Sequence, residues 1–143
     1  MDDTQPPTSL LDRSTLRVSD TPDLRSAWET IASRRPPTTR SLWVLFIHPD
    51  GGLLEPIGMV GELDATPTKE QADLYVSSCR AILSTMREDS TVAFAVARPG
   101  AKRQGSSDVR WARTIDDACR RWGVRTWPVI MLFDGRLKVF DER

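Results

Sequence analysis

The fold of this chain is decided by FAVARPGAKRQGSSDVRWARTIDDACRRWG, residues 94–123. An apolar, β-rich run ends at Arg98-Pro99-Gly100, and a basic loop with Lys102 and Arg103 follows. Ser106, Ser107 and Asp108 then open a helical pattern with Trp111, Ile115, Ala118 and Trp122 on one face. Asp108 suits the positive end of that helix, Arg120 and Arg121 suit its last turn, and Gly123 is a natural residue just past its end. Strand, loop and capped helix together make a common platform for a site. This loop holds no histidine, no cysteine and no acid before Asp108.

The rest of the chain can be read outward from this unit. TVAFAVA, residues 91–97, predicts a strand buried on both faces, with the loop at 98–105 after it. Downstream, WPVIMLF (127–133) and a second run over 136–140 predict two strands, and Asp134-Gly135 between them is a strong hairpin signal. Upstream, SLWVLFI (41–47), the turn HPDGG and a returning strand over 53–61 predict another hairpin, with Pro56 placing the return at an edge or a bulge. The spacing of Leu24, Ala27, Trp28 and Ile31 predicts a helix over 22–33, capped by Thr21 and ended by Pro36-Pro37. A helix over 68–87 starts on a capping box of Thr68 with Gln71 and carries the stripe Ala72, Val76, Cys79, Leu83, Met86. The third helix covers 107–122. The order α-β-β-α-β-α-β-β predicts an α/β fold, a single mixed sheet flanked by helices. Residues 1–18 are polar and aperiodic and are expected to be a flexible tail, with 19–143 one domain.

Composition agrees with one domain. The chain has 143 residues, 39% hydrophobic and 28% charged, enough to bury a core without disulfide or metal staples. No apolar run approaches a membrane span, and the acidic N-terminus lacks a signal-peptide layout, so no membrane partner and a cytoplasmic location are expected. Net charge is zero but uneven: residues 1–97 hold 9 basic and 14 acidic side chains, and residues 98–125 hold 8 and 3. The basic excess thus falls on the loop and the third helix, where it would attract an anion or an acidic partner.

Individual residues carry less. His48, the only histidine, has no partner in sequence and is expected as an exposed turn residue. Cys79 and Cys119 have no CxxC neighbour and are expected as small buried hydrophobes. Ser106 and Ser107 lack a visible base, and N-capping explains them without chemistry. Arg98, Lys102, Arg103, Ser106, Ser107, Asp108 and Arg110 form the candidate anion- or partner-binding set, although Asp108 would compete with a bound anion. Nucleic acid is a less favoured partner for the 98–125 segment, because Asp116 and Asp117 interrupt the basic run and aromatics do not interleave with it.

Residues 16–140 resemble the JAB/MPN (JAMM) domains, and most closely their bacterial RadC-like branch. SLWVLFIHPDGGLLEP resembles the first hairpin of that family, TVAFAVARPG its strand ending in HxHPSG, and SSDVRWARTIDDACRRWGV the helix bearing its Ser and Asp. The resemblance implies a cytidine-deaminase-like or JAB-like architecture. In the family, two His and an Asp hold zinc and an upstream Glu acts on the bound water. Here the HxH positions read Val96-Ala97-Arg98, Pro99 is kept, Asp108 follows Ser106 by two residues rather than three, and the Glu falls near Arg40. Valine donates no lone pair and arginine repels a dication, so the resemblance implies a degenerate site with no metal, no cofactor and no hydrolysis.

The resulting expectation is a non-catalytic binding or scaffold module of a bacterial cytoplasmic system, with an unknown protein partner. Two alternatives stand beside it: an enzyme with a site rebuilt around Arg98 and Asp108, and a nucleic-acid-binding module. An arginine at the end of a buried strand must have its charge answered. Asp108 is the expected partner, with Glu62 of the first hairpin region as the other nearby acid.

Overall fold

The computed structural model describes residues 17–100, 106–133 and 136–140. The elements run α1 (Thr21–Arg34), β1 (Ser41–Ile47), β2 (Leu53–Val60), α2 (Lys69–Leu83), β3 (Thr91–Arg98), α3 (Ser106–Trp122), β4 (Ile130–Phe133) and β5 (Arg136–Val139). The five strands form one mixed sheet in the order β2-β1-β3-β4-β5. Only β3 and β4 run parallel, with α3 as the crossover between them. The expected element order and single mixed sheet are thus observed.

Strand alternation sorts the core into two layers. Leu42, Val44 and Phe46 of β1 and Val92, Phe94 and Val96 of β3 pack with α2 and α3. Trp43, Leu45, Ile47, Ala93, Ala95 and Ala97 pack with α1. Both faces of β1 are covered, which explains why SLWVLFI has no polar alternation after its first residue. Small alanines on the α1 side of β3 leave room for Trp28 and Trp43, whose rings lie 6.2 Å apart at 40°. The second hairpin strand is at the edge, as Pro56 requires. Its register against β1 shifts between Val44–Gly58 and Phe46–Leu54, placing the proline in the irregular stretch.

Several boundaries differ from expectation for local reasons. The cap of α1 is Asp20, which accepts the amide of Asp23 at 2.9 Å; Thr21 is already helical. The capping box of α2 is formed as expected, but the helix ends at Leu83. Thr85 and Met86 donate instead to Ile82 and Leu83 in tighter turns, and Met86 still packs against the core. The fourth strand begins at Ile130 rather than Trp127. Thr126 makes one bridge to Val92 and Trp127 donates to the Val92 carbonyl, but Pro128 has no N–H with which to extend a ladder. Trp122, expected on the buried face of α3, is 37% exposed and donates its indole N–H to Asp73.

The expected tail lies outside the described residues up to Leu16. Val18, near its end, is buried and donates to the Gly51 carbonyl at 2.9 Å, so the packed domain includes it. The Asp134-Gly135 turn and residues 101–105 also lie outside the described residues, although Phe133 pairs directly with Arg136 across that turn.

Candidate functional site

The parallel pair places Arg98 opposite Phe133 at the carboxyl ends of β3 and β4, and this sheet end is where open α/β folds collect ligands. Arg98 is the last residue of β3 and continues the alternation of Val92, Phe94 and Val96, so it points toward α3. Asp108 in the first turn of α3 meets it there. The Arg98 Nε–H is shared between Oδ1 and Oδ2 of Asp108, 2.8 Å from each. The two side chains are 10% and 3% exposed. A longer contact of 3.5 Å runs from Nη1 to the Gly100 carbonyl, and the guanidinium carbon lies 5.0 Å from the centre of the Phe133 ring.

The expected pairing of Arg98 is therefore observed with Asp108 and not with Glu62. Glu62 is exposed and adopts a left-handed backbone, φ 57°, with its amide held by Thr39 Oγ1. Of the remaining candidate residues, Ser107 is half-buried and Arg110 is exposed on α3. Lys102 and Arg103 lie outside the described residues, as does whatever caps α3, and the Ser106 side chain is not described. Sequence reasoning missed Phe133, because its contact with Arg98 depends on β3 and β4 running parallel in this register.

The donor set does not fit a zinc ion. Val96 is hydrocarbon packed in the core, Arg98 is a cation, and the carboxylate of Asp108 is engaged by Arg98. Among the described residues, no group of three or more His, Cys, Asp or Glu side chains converges for a metal.

Elsewhere the basic excess of 98–125 is partly answered by acids. Arg120 pairs with Asp116 at 2.9 Å, Arg125 with Asp89 at 2.6 Å, and Arg121 with Asp73. The Arg121 guanidinium, with Trp122 and Lys69 beside it, holds the Asp73 carboxyl below the usual carboxylate range and ties α3 to α2. His48 departs from expectation. It is half-buried rather than exposed, lines a hollow of about 230 Å³ with Arg17 and Asp50, and its Nδ1 is enclosed without a partner. Both cysteines are buried as expected; burial pushes the Cys79 thiol up to about 11 and the Cys119 thiol up to about 12.

A second hollow of about 330 Å³ opens on the α1 side of the same sheet end, lined by Pro36, Pro37, Pro99, Leu132, Phe133 and Leu137 among others. Glu29 and Arg136 are its charged lining residues. No family model matches the chain, and no curated protein matches it. No described helix is long and apolar enough to cross a membrane.

Proposed function

We propose that this chain is a non-catalytic α/β binding module of JAB/RadC-like build, acting through a protein partner in a bacterial cytoplasmic system. The observation that carries this reading is the Arg98–Asp108 pair. It sits at the end of the third strand and the start of the following helix; on the JAB-like reading this is the place of the family's zinc, and the guanidinium stands in for the cation. The strand order and the parallel β3–β4 pair are the fold features that support the JAB-like assignment. A buried arginine bound to the buried carboxylate of Asp108 answers its charge and engages the one acid that the resemblance assigns to the metal.

The alternative of a rebuilt enzyme would need a base or nucleophile beside this pair. Beyond each other, the described contacts of the pair are the Gly100 carbonyl and the Phe133 ring, neither of which is a base or a nucleophile. The nucleic-acid alternative loses support from the acids that answer Arg120, Arg121 and Arg125. The deciding measurement is metal content and chelator response on purified protein. The module reading expects sub-stoichiometric zinc by elemental analysis and an unchanged melting temperature with chelator. One zinc per chain, lost in Asp108→Ala, would overturn it.

A further inference from the structure

We propose that Arg40 is the contact residue of a binding site for a small oxyanion, a carboxylate or a phosphate, at the same sheet end as the Arg98–Asp108 pair. This gives the binding module a ligand class and rests on that reading.

The placement follows from register. Ser41 of β1 pairs with Ala97 of β3, so one residue further out Arg40 stands across from Arg98. Leu42, Val44 and Phe46 face the α2–α3 layer, as do Val96, Phe94 and Val92 opposite them, and Arg40 and Arg98 extend the two series on that same face. Two guanidinium groups thus share one end of one face.

They are not equally satisfied. Arg98 has Asp108. The Nε of Arg40 is shut off from solvent and meets no hydrogen-bond acceptor, and Arg40 makes no ion pair with a described residue. A buried donor left open in this way calls for an acceptor that is not part of the chain, such as an ion or a water. The backbone of Arg40 is meanwhile fixed, because its carbonyl accepts the Leu63 amide at 2.8 Å. The nearest acid in sequence on that loop, Glu62, does not reach back to it: its amide is bound to Thr39 Oγ1, its φ is 57°, and the residue is exposed.

The chemistry of the missing acceptor is set by the donor. A guanidinium offers Nε–H and an Nη–H along one edge, spaced to match two oxygens of a carboxylate or phosphate. Among the described residues, the carboxylate of Asp108 is taken by Arg98, and Arg40 has no ion pair. A neutral ligand would leave the charge of Arg40 unanswered; an oxyanion answers both the charge and the open donor.

The test uses the full chain and the side-chain Nε–H signals of arginine in ¹⁵N–¹H spectra at low ionic strength. Inorganic phosphate and sodium acetate are titrated separately, each against sodium chloride at matched ionic strength. The expected result is a saturable shift of the signal that disappears in Arg40→Met, with one anion bound at least about ten-fold more tightly than chloride. The stronger of the two titrations identifies the anion type. Arg40→Lys, which keeps the charge and loses the two-donor edge, is expected to weaken binding about ten-fold. A response to phosphate and acetate no different from chloride overturns the proposal and points to an enclosed water on Arg40. So does saturable binding that survives unchanged in Arg40→Met. Neither result touches zinc content, so loss of this site leaves the module reading standing, and stoichiometric zinc would sink the module reading without an anion titration.

Discussion

The Nε–H of Arg98 lies 2.8 Å from both carboxylate oxygens of Asp108, ten residues away, and clamps the end of β3 to the first turn of α3. Because both partners are almost wholly enclosed, the pair behaves as a buried one, for which removing one member costs far more than replacing both. Arg98→Ala is expected to destabilise the fold by about 3 kcal/mol in urea denaturation, and Asp108→Ala by a similar amount. The double variant Arg98→Met/Asp108→Leu should recover most of that loss. A cost below about 1 kcal/mol for Arg98→Ala would mean the pair is solvated like a surface bridge.

Gly51 makes the N-terminal attachment. Its φ is 92°, and a Cβ there would lie 2.9 Å from the Val18 carbonyl oxygen. Gly51→Ala therefore meets both a disfavoured backbone and a backbone atom that cannot rotate away. We expect a loss of about 1–3 kcal/mol, with faster amide exchange at Val18, whose N–H donates to the Gly51 carbonyl. Unchanged exchange at Val18 in this variant would show that the contact does not hold that segment.

The two thiols predict an alkaline limit. Burial raises the Cys79 thiol to about 11 and the Cys119 thiol to about 12, from an ordinary thiol value of about 9. The unfolded chain releases these protons first as pH rises past 9, while the folded chain keeps them. Stability contributed by the neutral thiols is complete below pH 9 and is lost as pH rises through the folded values. Urea midpoints should fall between pH 9 and 11, and less so in Cys79→Ala/Cys119→Ala after correction for its lower baseline. At pH 8 a thiol reagent should label the native protein only at the rate at which it opens; immediate labelling of both thiols would contradict their burial.

Much of this fold was legible in the chain because its signals are local. The SLWVLFI strand, the Thr68–Gln71 box and the stripe Leu24, Ala27, Trp28, Ile31 each lie within one element, and each formed where expected. The Arg98–Asp108 pair was legible for a different reason: a charge at the end of an apolar strand needs a partner, and few acids were near. What escaped depends on pairings across the sheet. Phe133 under Arg98 requires the parallel register of β3 and β4, and the exclusion of Trp127 from β4 turns on Pro128 facing a ladder it cannot join. The half-burial of His48 also escapes the sequence, because nothing local places Arg17 and Leu53 around it.

The sharpest check on the JAB-like reading is to put ligands back. Val96 and Arg98 are two apart on one strand and face the same layer, and the Arg98 side chain already reaches Asp108. If this sheet end has the geometry of the resembled family's metal site, Val96→His/Arg98→His frees the Asp108 carboxylate and supplies the two nitrogens a three-ligand zinc site needs. The double variant should be less stable than the parent without metal, since it loses the ion pair and places a polar ring in the core. Zinc should then raise its melting temperature in a saturable way, at one ion per chain by elemental analysis, and the parent should show neither effect. Asp108→Ala on that background should weaken zinc binding at least about ten-fold. A folded double variant, verified by circular dichroism, that binds no zinc at micromolar concentration would show that the two histidine positions and Asp108 do not converge as a metal site. The Arg98–Asp108 pair would then be a structural clasp of this fold, and the JAB-like assignment would lose its main support.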